Sequence, residues 1–318
     1  MLGLPCEKKT NNDDFKKLDW MNLIAGILHL GLTLFVIIYA SVKEPGEGED
    51  PFNFDVNLIA DTFVPQETLR DSLQSYETID GLKFNVLALI IVFLVVTWGA
   101  HFAYRFLCRK FYRTEIDSCR NSLRWIEYGI SASIMLVILT ILSGVRNLHV
   151  LALVFFATVG QMYMGYVIEQ NLDNPNKLTI YSALVIGWLL LLAAWFPLIW
   201  NFFTVIAKAE EFVEDMTEEE REEAGAPPTD LKFLIWVIFG FFSSFGVWNL
   251  LHALYFYPRL QRKRGNDYKA QKRKLGIFIE QGYIVLSFVS KLILVLWVTS
   301  TALFSGLRWL RYPGHADG

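Results

Sequence analysis

The chain has 318 residues, 53% of them hydrophobic and 15% aromatic, with a mean hydropathy of +0.34. That is too apolar for a soluble protein of this size, so an integral membrane protein is expected. The formal net charge of −3 says little as a total, because the charges are sorted by segment, and nothing in them calls for a nucleic-acid partner.

The first nineteen residues are polar and carry Lys8, Lys9, Lys16 and Lys17, and the first apolar run is long enough to span a bilayer. The first helix is therefore expected to act as its own insertion signal, with no cleaved leader before it. Seven apolar runs follow one another, near Trp20 to Val42, Lys83 to Leu107, Asn121 to Leu142, Leu148 to Ile168, Leu178 to Ala207, Leu231 to Tyr257 and Gly276 to Phe304. Each is long and uninterrupted, and a spanning segment must satisfy its backbone hydrogen bonds internally, so each is expected to be a helix. The expected fold is all-α, a single membrane domain over residues 1–318 built as a bundle of seven transmembrane helices.

Lysine and arginine set the orientation. The N-terminal tail (1–19), the second-to-third connection, Lys177 and the basic loop at 258–275 together hold eighteen, against nine on the opposite side. By the positive-inside rule the N-terminus is expected in the cytoplasm and the C-terminus outside, in the cell membrane. Cys6, Cys108 and Cys119 then fall near the ends of cytoplasmic segments, where thiols stay reduced, and imply no disulfide framework. The two outer loops differ. In 43–82, Phe52, Phe54, Val56 and Leu58 alternate with Asn53, Asp55 and Asn57, a period of two that predicts a short strand or hairpin over the outer mouth. In 208–230 an acidic run including Glu218, Glu219, Glu220, Glu222 and Glu223 ends at Pro227-Pro228, which reads as a solvated extension of the fifth helix and then a break, or as a cation-binding or partner surface.

Within the spans the ionisable groups read from the sequence are Glu127 and Arg124 on the third helix, Lys291 on the seventh, and His29, His101, His149 and His252. A charge at the middle of a spanning helix costs roughly 2.5–3.5 kcal/mol on insertion scales, so Lys291 should be neutralised, paired or covalently occupied. Glu127 lies about 10 Å in from Asn121, and Lys291 about 22 Å in from Gly276, at 1.5 Å per residue. Helical side chains lean toward the helix N-terminus, which brings the lysine back toward the level of the glutamate. Ser287 and Ser131 stand four residues from Lys291 and Glu127 on the same faces. Arg124, one turn before Glu127, is expected to help keep that glutamate ionised. An ionic cross-link between two helices accounts for these residues as well as a covalent cofactor does. The aromatic content adds surface for a long conjugated ligand, from Trp236, Phe239, Phe241, Phe242, Phe245 and Trp248 on the sixth helix and from Trp188, Trp195, Phe196 and Trp200 around Pro197 on the fifth.

The stretch Arg124-Trp125-Ile126-Glu127-Tyr128-Gly129-Ile130-Ser131-Ala132-Ser133, together with Ser287-Phe288-Val289-Ser290-Lys291, resembles heliorhodopsin over essentially the whole heptahelical region. The inverted orientation counted from the loops agrees with that resemblance. It implies a light-sensing photoreceptor, not an enzyme. All-trans retinal would be held on Lys291 as a protonated Schiff base with Glu127 as counterion and Ser287 near the same nitrogen. Tyr128, Ser131, Trp195, Phe239 and Trp236 would belong to the pocket. Light would drive the retinal toward 13-cis, and the Schiff-base proton would pass to an internal acceptor in a cytoplasmic-side region of His29, His101 and Arg124. The resemblance also implies a homodimer, surrounded by membrane lipid, with the 43–82 loop at its interface and a signalling partner that the residues do not name. No relay of ionisable groups is read between Lys291 and the outer loops, which favours a sensor. The alternative is a light-gated proton channel or a light-driven proton transporter.

Overall fold

The computed structural model describes residues 14–42, 55–60, 77–214, 230–262, 265 and 267–303. Seven of its helices are long and apolar enough to cross a membrane. In chain order the elements are α1 (Lys16–Val42), β1 (Asp55–Ala60), β2 (Glu77–Asn85), α2 (Val86–Phe102), a π-helical turn (Ala103–Leu107), α3 (Arg109–Asp117), α4 (Ser122–Leu142), α5 (Leu148–Gln170), α6 (Leu178–Glu214), α7 (Asp230–Leu251), a second π-helical turn (His252–Phe256), α8 (Tyr257–Arg262) and α9 (Tyr268–Leu303). The spanning helices are α1, α2, α4, α5, α6, α7 and α9. The protein is thus an integral, multi-pass membrane protein, a heptahelical bundle as its composition requires.

Three spans begin on asparagine caps, for a common reason. The first amides of a helix have no carbonyl within the helix, and a short side-chain oxygen supplies one. Asn85 Oδ1 accepts from Ala88 N at 2.9 Å, Asn121 Oδ1 from Arg124 N at 3.2 Å, and Asn147 Oδ1 from His149 N at 2.9 Å and Val150 N at 3.2 Å. The second span starts at Val86, later than the run from Lys83 predicts, because Lys83, Phe84 and Asn85 are still paired in β2. The strand expected from the alternating residues is present as β1. It pairs antiparallel with β2 from Asp55 opposite Asn85 to Ala60 opposite Glu77, with a bulge between Asn57 and Ile59. Phe52 and Phe54 of that alternation lie outside the described residues, as do the run Glu218 to Glu223 and Pro227-Pro228. The fifth span runs on as helix to Glu214, as expected, whereas the first helix already begins at Lys16 inside the expected tail.

Helix α4 is the axis of the bundle. Of its most apolar window 72% is buried, against 28–50% for the other spans, and it packs on α2 and α5, while α9 packs on α1, α3 and α7. The two halves of the bundle differ in content. On the side away from the N-terminal face, Phe93, Leu94, Met135, Leu136, Leu198 and Leu294 belong to one continuous apolar core. The buried charged and imidazole side chains, Asp19, His29, His101, Arg124, Glu127, Glu169, His252, Glu280 and Lys291, lie at the level of Lys291 or nearer the N-terminal face. There the short helix α3 closes against α9. A Cβ at Gly276 would run into the Ile116 carbonyl oxygen, which is backbone and cannot rotate away. Gly276→Ala is therefore expected to cost about 1–3 kcal/mol as overpacking, read as a lower thermal unfolding midpoint. Nearby, Cys119 is buried and its Sγ donates to Lys272 O at 3.0 Å. Burial pushes this thiol up to about 12, so it stays protonated and unreactive at neutral pH.

Candidate functional site

Lys291 is 3% exposed and Glu127 6%, so neither charge has water to solvate it. They solvate each other. Lys291 Nζ donates to Glu127 Oε1 at 2.8 Å and to Thr97 Oγ1 at 2.6 Å. The same carboxylate oxygen lies 2.8 Å from the Ser131 hydroxyl, which donates to it, and 2.9 Å from Thr97 Oγ1. Thr97 has a single proton, which is shared between Glu127 and the carbonyl of Phe93, also at 2.9 Å. Three helices, α2, α4 and α9, thus meet at one nitrogen. Ser131 stands where its four-residue spacing from Glu127 predicts. Ser287 is buried one turn before Lys291, beside the Tyr128 hydroxyl, yet its Oγ finds no hydrogen-bond partner among the described residues. Tyr128 instead donates to the carbonyl of Tyr283 at 3.0 Å and turns its ring face toward Lys291 Nζ, 5.5 Å from the centroid.

His29 and His101 come together as expected. Their rings stack with centroids 5.6 Å apart, and Phe288, three residues before Lys291, meets His29 edge-on at 5.5 Å. Both imidazoles lie within electrostatic reach of Lys291. Their hydrogen bonds assign the tautomers. His29 Nδ1 faces the Ala25 carbonyl at 2.7 Å, and His101 Nδ1 faces Asn22 Oδ1 at 2.9 Å. A carbonyl oxygen only accepts, so each Nδ1 carries the hydrogen and each neutral ring keeps an acceptor lone pair on Nε2. His29 Nε2 is buried with no partner among the described residues.

The aromatic residues divide between two roles. Trp195 is fully buried, edge-on to Phe239 at 5.1 Å and to Phe242 at 5.3 Å. Trp236 contacts Phe239 at 6.0 Å but is 51% exposed, and Phe196 and Trp200 are 65% and 67% exposed on the outside of the bundle. On the inside, a cavity between α4, α5, α6 and α7 is lined by Trp125, Met162, Gly165, Trp188, Leu191 and Phe245. Phe245 connects it to Tyr128, edge-on at 5.4 Å.

Residues 18–303 match the family model of the heliorhodopsins. The chain belongs to the heliorhodopsin family. No curated protein matches it. A heliorhodopsin is a membrane photoreceptor of rhodopsin type, which implies a retinal chromophore, and the residues present suit that group. They provide a dehydrated primary amine, one carboxylate against it, a buried hydroxyl at Ser287 with a free valence, and a mostly apolar cavity, with Gln161 and Asn249 also in its lining, whose Phe245 wall touches Tyr128.

In this heliorhodopsin Arg124 does not support Glu127 as its one-turn spacing suggested. Its guanidinium turns away to form ion pairs with Glu169 and Glu280 and lies over the Tyr283 ring, 3.9 Å from the centroid. Both acids are almost fully buried, and both escaped the list of ionisable groups at depth read from the sequence. Glu169 also accepts from Trp125 Nε1 at 2.8 Å and Asn121 N at 3.0 Å, and Glu280 from Asn121 Nδ2 at 2.8 Å and the Tyr112 hydroxyl at 3.2 Å. His252, at the start of the second π-helical turn, places Nδ1 3.7 Å from Glu169 Oε1, while His149 is exposed at the start of α5. One signal was available for Glu280. It precedes Ser287 by seven residues and Lys291 by eleven, on one helical face. Thr97 was marked likewise, four residues before His101 in an otherwise apolar run. Glu169 had no such mark, since it stands in the last turn of its helix, where a solvated acid is ordinary. Arg124→Gln leaves two buried carboxylates without their cation, and breaking a buried pair costs about 3–5 kcal/mol. The expected result is a large loss of thermal stability, with the pH titration of any Lys291-linked pigment nearly unmoved.

Proposed function

We propose that this heliorhodopsin is a light sensor that carries all-trans retinal on Lys291 and signals without pumping ions. The observation that supports this most is the environment of Lys291 Nζ, buried 2.8 Å from Glu127 Oε1 and 2.6 Å from Thr97 Oγ1 in a member of a retinal-binding family. When bound, retinal supplies visible absorption and light-driven isomerisation from all-trans to 13-cis. The protein's own groups do the rest. In the dark the Glu127 carboxylate, oriented by Ser131 and Thr97, holds positive charge on the lysine nitrogen. Ser287 Oγ lies on the same face as a further hydrogen-bond partner. When the nitrogen is displaced from Glu127, its proton has an acceptor within the protein, the bare Nε2 of His29 against the stacked His101 ring. Tyr128, Trp195 and Phe239 form apolar walls, and Trp236 backs Phe239 from outside.

Beyond Lys291 the bundle is apolar core, with no buried charged side chain among the described residues. A transport path needs polar groups in both halves of the membrane. The loop charges support a cytoplasmic N-terminal face at the cell membrane, so the buried histidine pair lies on the cytoplasmic side of Lys291, where a signalling partner would read the change. A homodimer in the lipid bilayer suits the exposed apolar face of α1, which includes Trp20, Ile24, Ile27 and Leu34. Transport is the competing reading, as a light-gated proton channel or a light-driven proton transporter. Voltage-clamp recording of retinal-supplied cells under illumination separates the two. No sustained current is expected, and a sustained retinal-dependent current would overturn the sensor reading.

A further inference from the structure

The cluster around Arg124 does not balance its charge. Two carboxylates, Glu169 and Glu280, are 1% and 2% exposed and share one guanidinium, itself 3% exposed. With His252 neutral, the cluster carries one surplus negative charge in a region that water does not reach, an arrangement that favours uptake of a proton. The titratable groups facing it from the packed elements are Tyr112 on α3, Tyr128 on α4, Tyr257 on α8 and Tyr283 on α9, with Tyr104 stacked on Tyr112 at 5.0 Å and the Cys119 thiol within reach of Glu169. These are phenols and one thiol. The nearest further cation, Lys272, lies over the Tyr257 ring at 5.4 Å and pairs with Asp173, and among the described residues no cation other than Arg124 pairs with Glu169 or Glu280. Glu280 is fully supplied with donors, from Arg124, Asn121 and Tyr112. Glu169 has one oxygen occupied by Trp125 and Asn121. Its other oxygen faces both Arg124 and the His252 ring, and neither nitrogen of that ring has a hydrogen-bond partner among the described residues.

We propose that the Glu169–His252 pair is a proton-binding site that holds one proton in the dark protein and so neutralises the Arg124 cluster. The proton belongs to the pair, as a carboxylic acid on Glu169 or an imidazolium on His252. The site is not isolated. His101 Nδ1 donates to Asn22 Oδ1 at 2.9 Å, Asn22 Nδ2 to the Tyr112 oxygen at 3.0 Å, and Tyr112 to Glu280 at 3.2 Å. Every hydrogen in this chain points the same way, from the histidine pocket toward the cluster. A change of charge at His101 therefore polarises the bonds that reach Glu280, and with them the field at the stored proton.

The test uses the full chain in the dark, with and without added retinal, so that failure of the photoreceptor reading does not touch it. Infrared spectra and nitrogen-15 histidine NMR are recorded at about pH 8.5, where solvated carboxyls and imidazoles have lost their protons. The wild-type protein should keep either a carboxylic C=O band that Glu169→Gln removes or an imidazolium signal that His252→Gln removes. Whichever is present should vanish in Glu280→Gln, which takes away the surplus negative charge without altering the pair. A signal that persists in Glu280→Gln would overturn the proposal. So would a wild-type protein with neither signal, and that measurement stands even if the variants do not fold.

Discussion

Lys291→Ala is expected to abolish, not merely shift, the visible absorption band that the wild-type protein acquires with all-trans retinal. The loss should be complete because Lys291 is the sole buried lysine among the described residues. An exposed lysine has neither the carboxylate partner that keeps a linkage nitrogen charged nor the apolar walls that exclude water from it. Lys291→Arg should also give no band, since a guanidinium keeps the charge but forms no imine, and its folding controls for loss of the ion pair. Measurement is by absorption spectroscopy of purified protein after incubation with retinal. A colourless wild-type protein would refute the retinal assignment, and a pigmented alanine variant would move the attachment elsewhere.

The second large effect is at Glu127. The carboxylate stands 2.8 Å from Lys291 Nζ in a site with no exposed surface to supply a substitute. Removing one partner of a buried pair costs about 3–5 kcal/mol, and 1.36 kcal/mol corresponds to one pH unit. The sign follows from the charge. Glu127 stabilises the protonated nitrogen, so in Glu127→Gln the visible band should give way to a near-ultraviolet one at a pH lower by about two to four units. An unmoved titration would assign the counterion role to another group. The contrast with Arg124→Gln is informative, because spacing placed both residues together on α4 while the structure turns them toward different partners. Thr97→Val should produce a smaller change in the same direction, as it removes one neutral hydrogen-bond partner of the nitrogen.

Where the sequence was legible, a single physical rule dominated. A bilayer allows only internally bonded backbone, so apolar length translated into seven spans, but their polar ends were missed. The expected basic loop at 258–275 is largely helical, with α8 over Tyr257–Arg262 and α9 starting at Tyr268, eight residues before Gly276, because a helix goes on into water past the last apolar residue. The second span began late because β2 claims Lys83 to Asn85 by pairing with β1, and the local signal for the true start, Asn85 as a cap ahead of Val86, was passed over in favour of apolar length. The Lys291–Glu127 pair was suggested because each was a costly charge, and the helical lean carries the deeper lysine back toward the level of the glutamate. Ser131 followed from its four-residue spacing and is found at 2.8 Å from Glu127. Arg124 was misassigned by the same reasoning. One turn of helix is compatible with two facing directions, and Glu169 and Glu280 on neighbouring helices compete successfully for it.

The aromatic residues make the same point about direction. Trp195, Trp236 and Trp200 are equivalent in composition, yet one is buried and the other two face outward. In a membrane both faces of a helix are apolar, so no polar stripe marks the outside and the hydrophobic pattern does not say which way a ring points.

The sequence by itself determined the membrane fold, the number of spans and the resemblance to heliorhodopsin, and made Lys291 and Glu127 candidate partners, because each rests on length, charge cost or motif along single helices. Only the tertiary structure decided that Thr97 completes the Lys291 site, that His29 and His101 stack as Nδ1–H tautomers, and that Arg124 belongs to a second buried cluster with Glu169, Glu280 and His252. These depend on which faces of separate helices meet, and that is set by packing between segments up to 194 residues apart along the chain, a relation that no local spacing encodes.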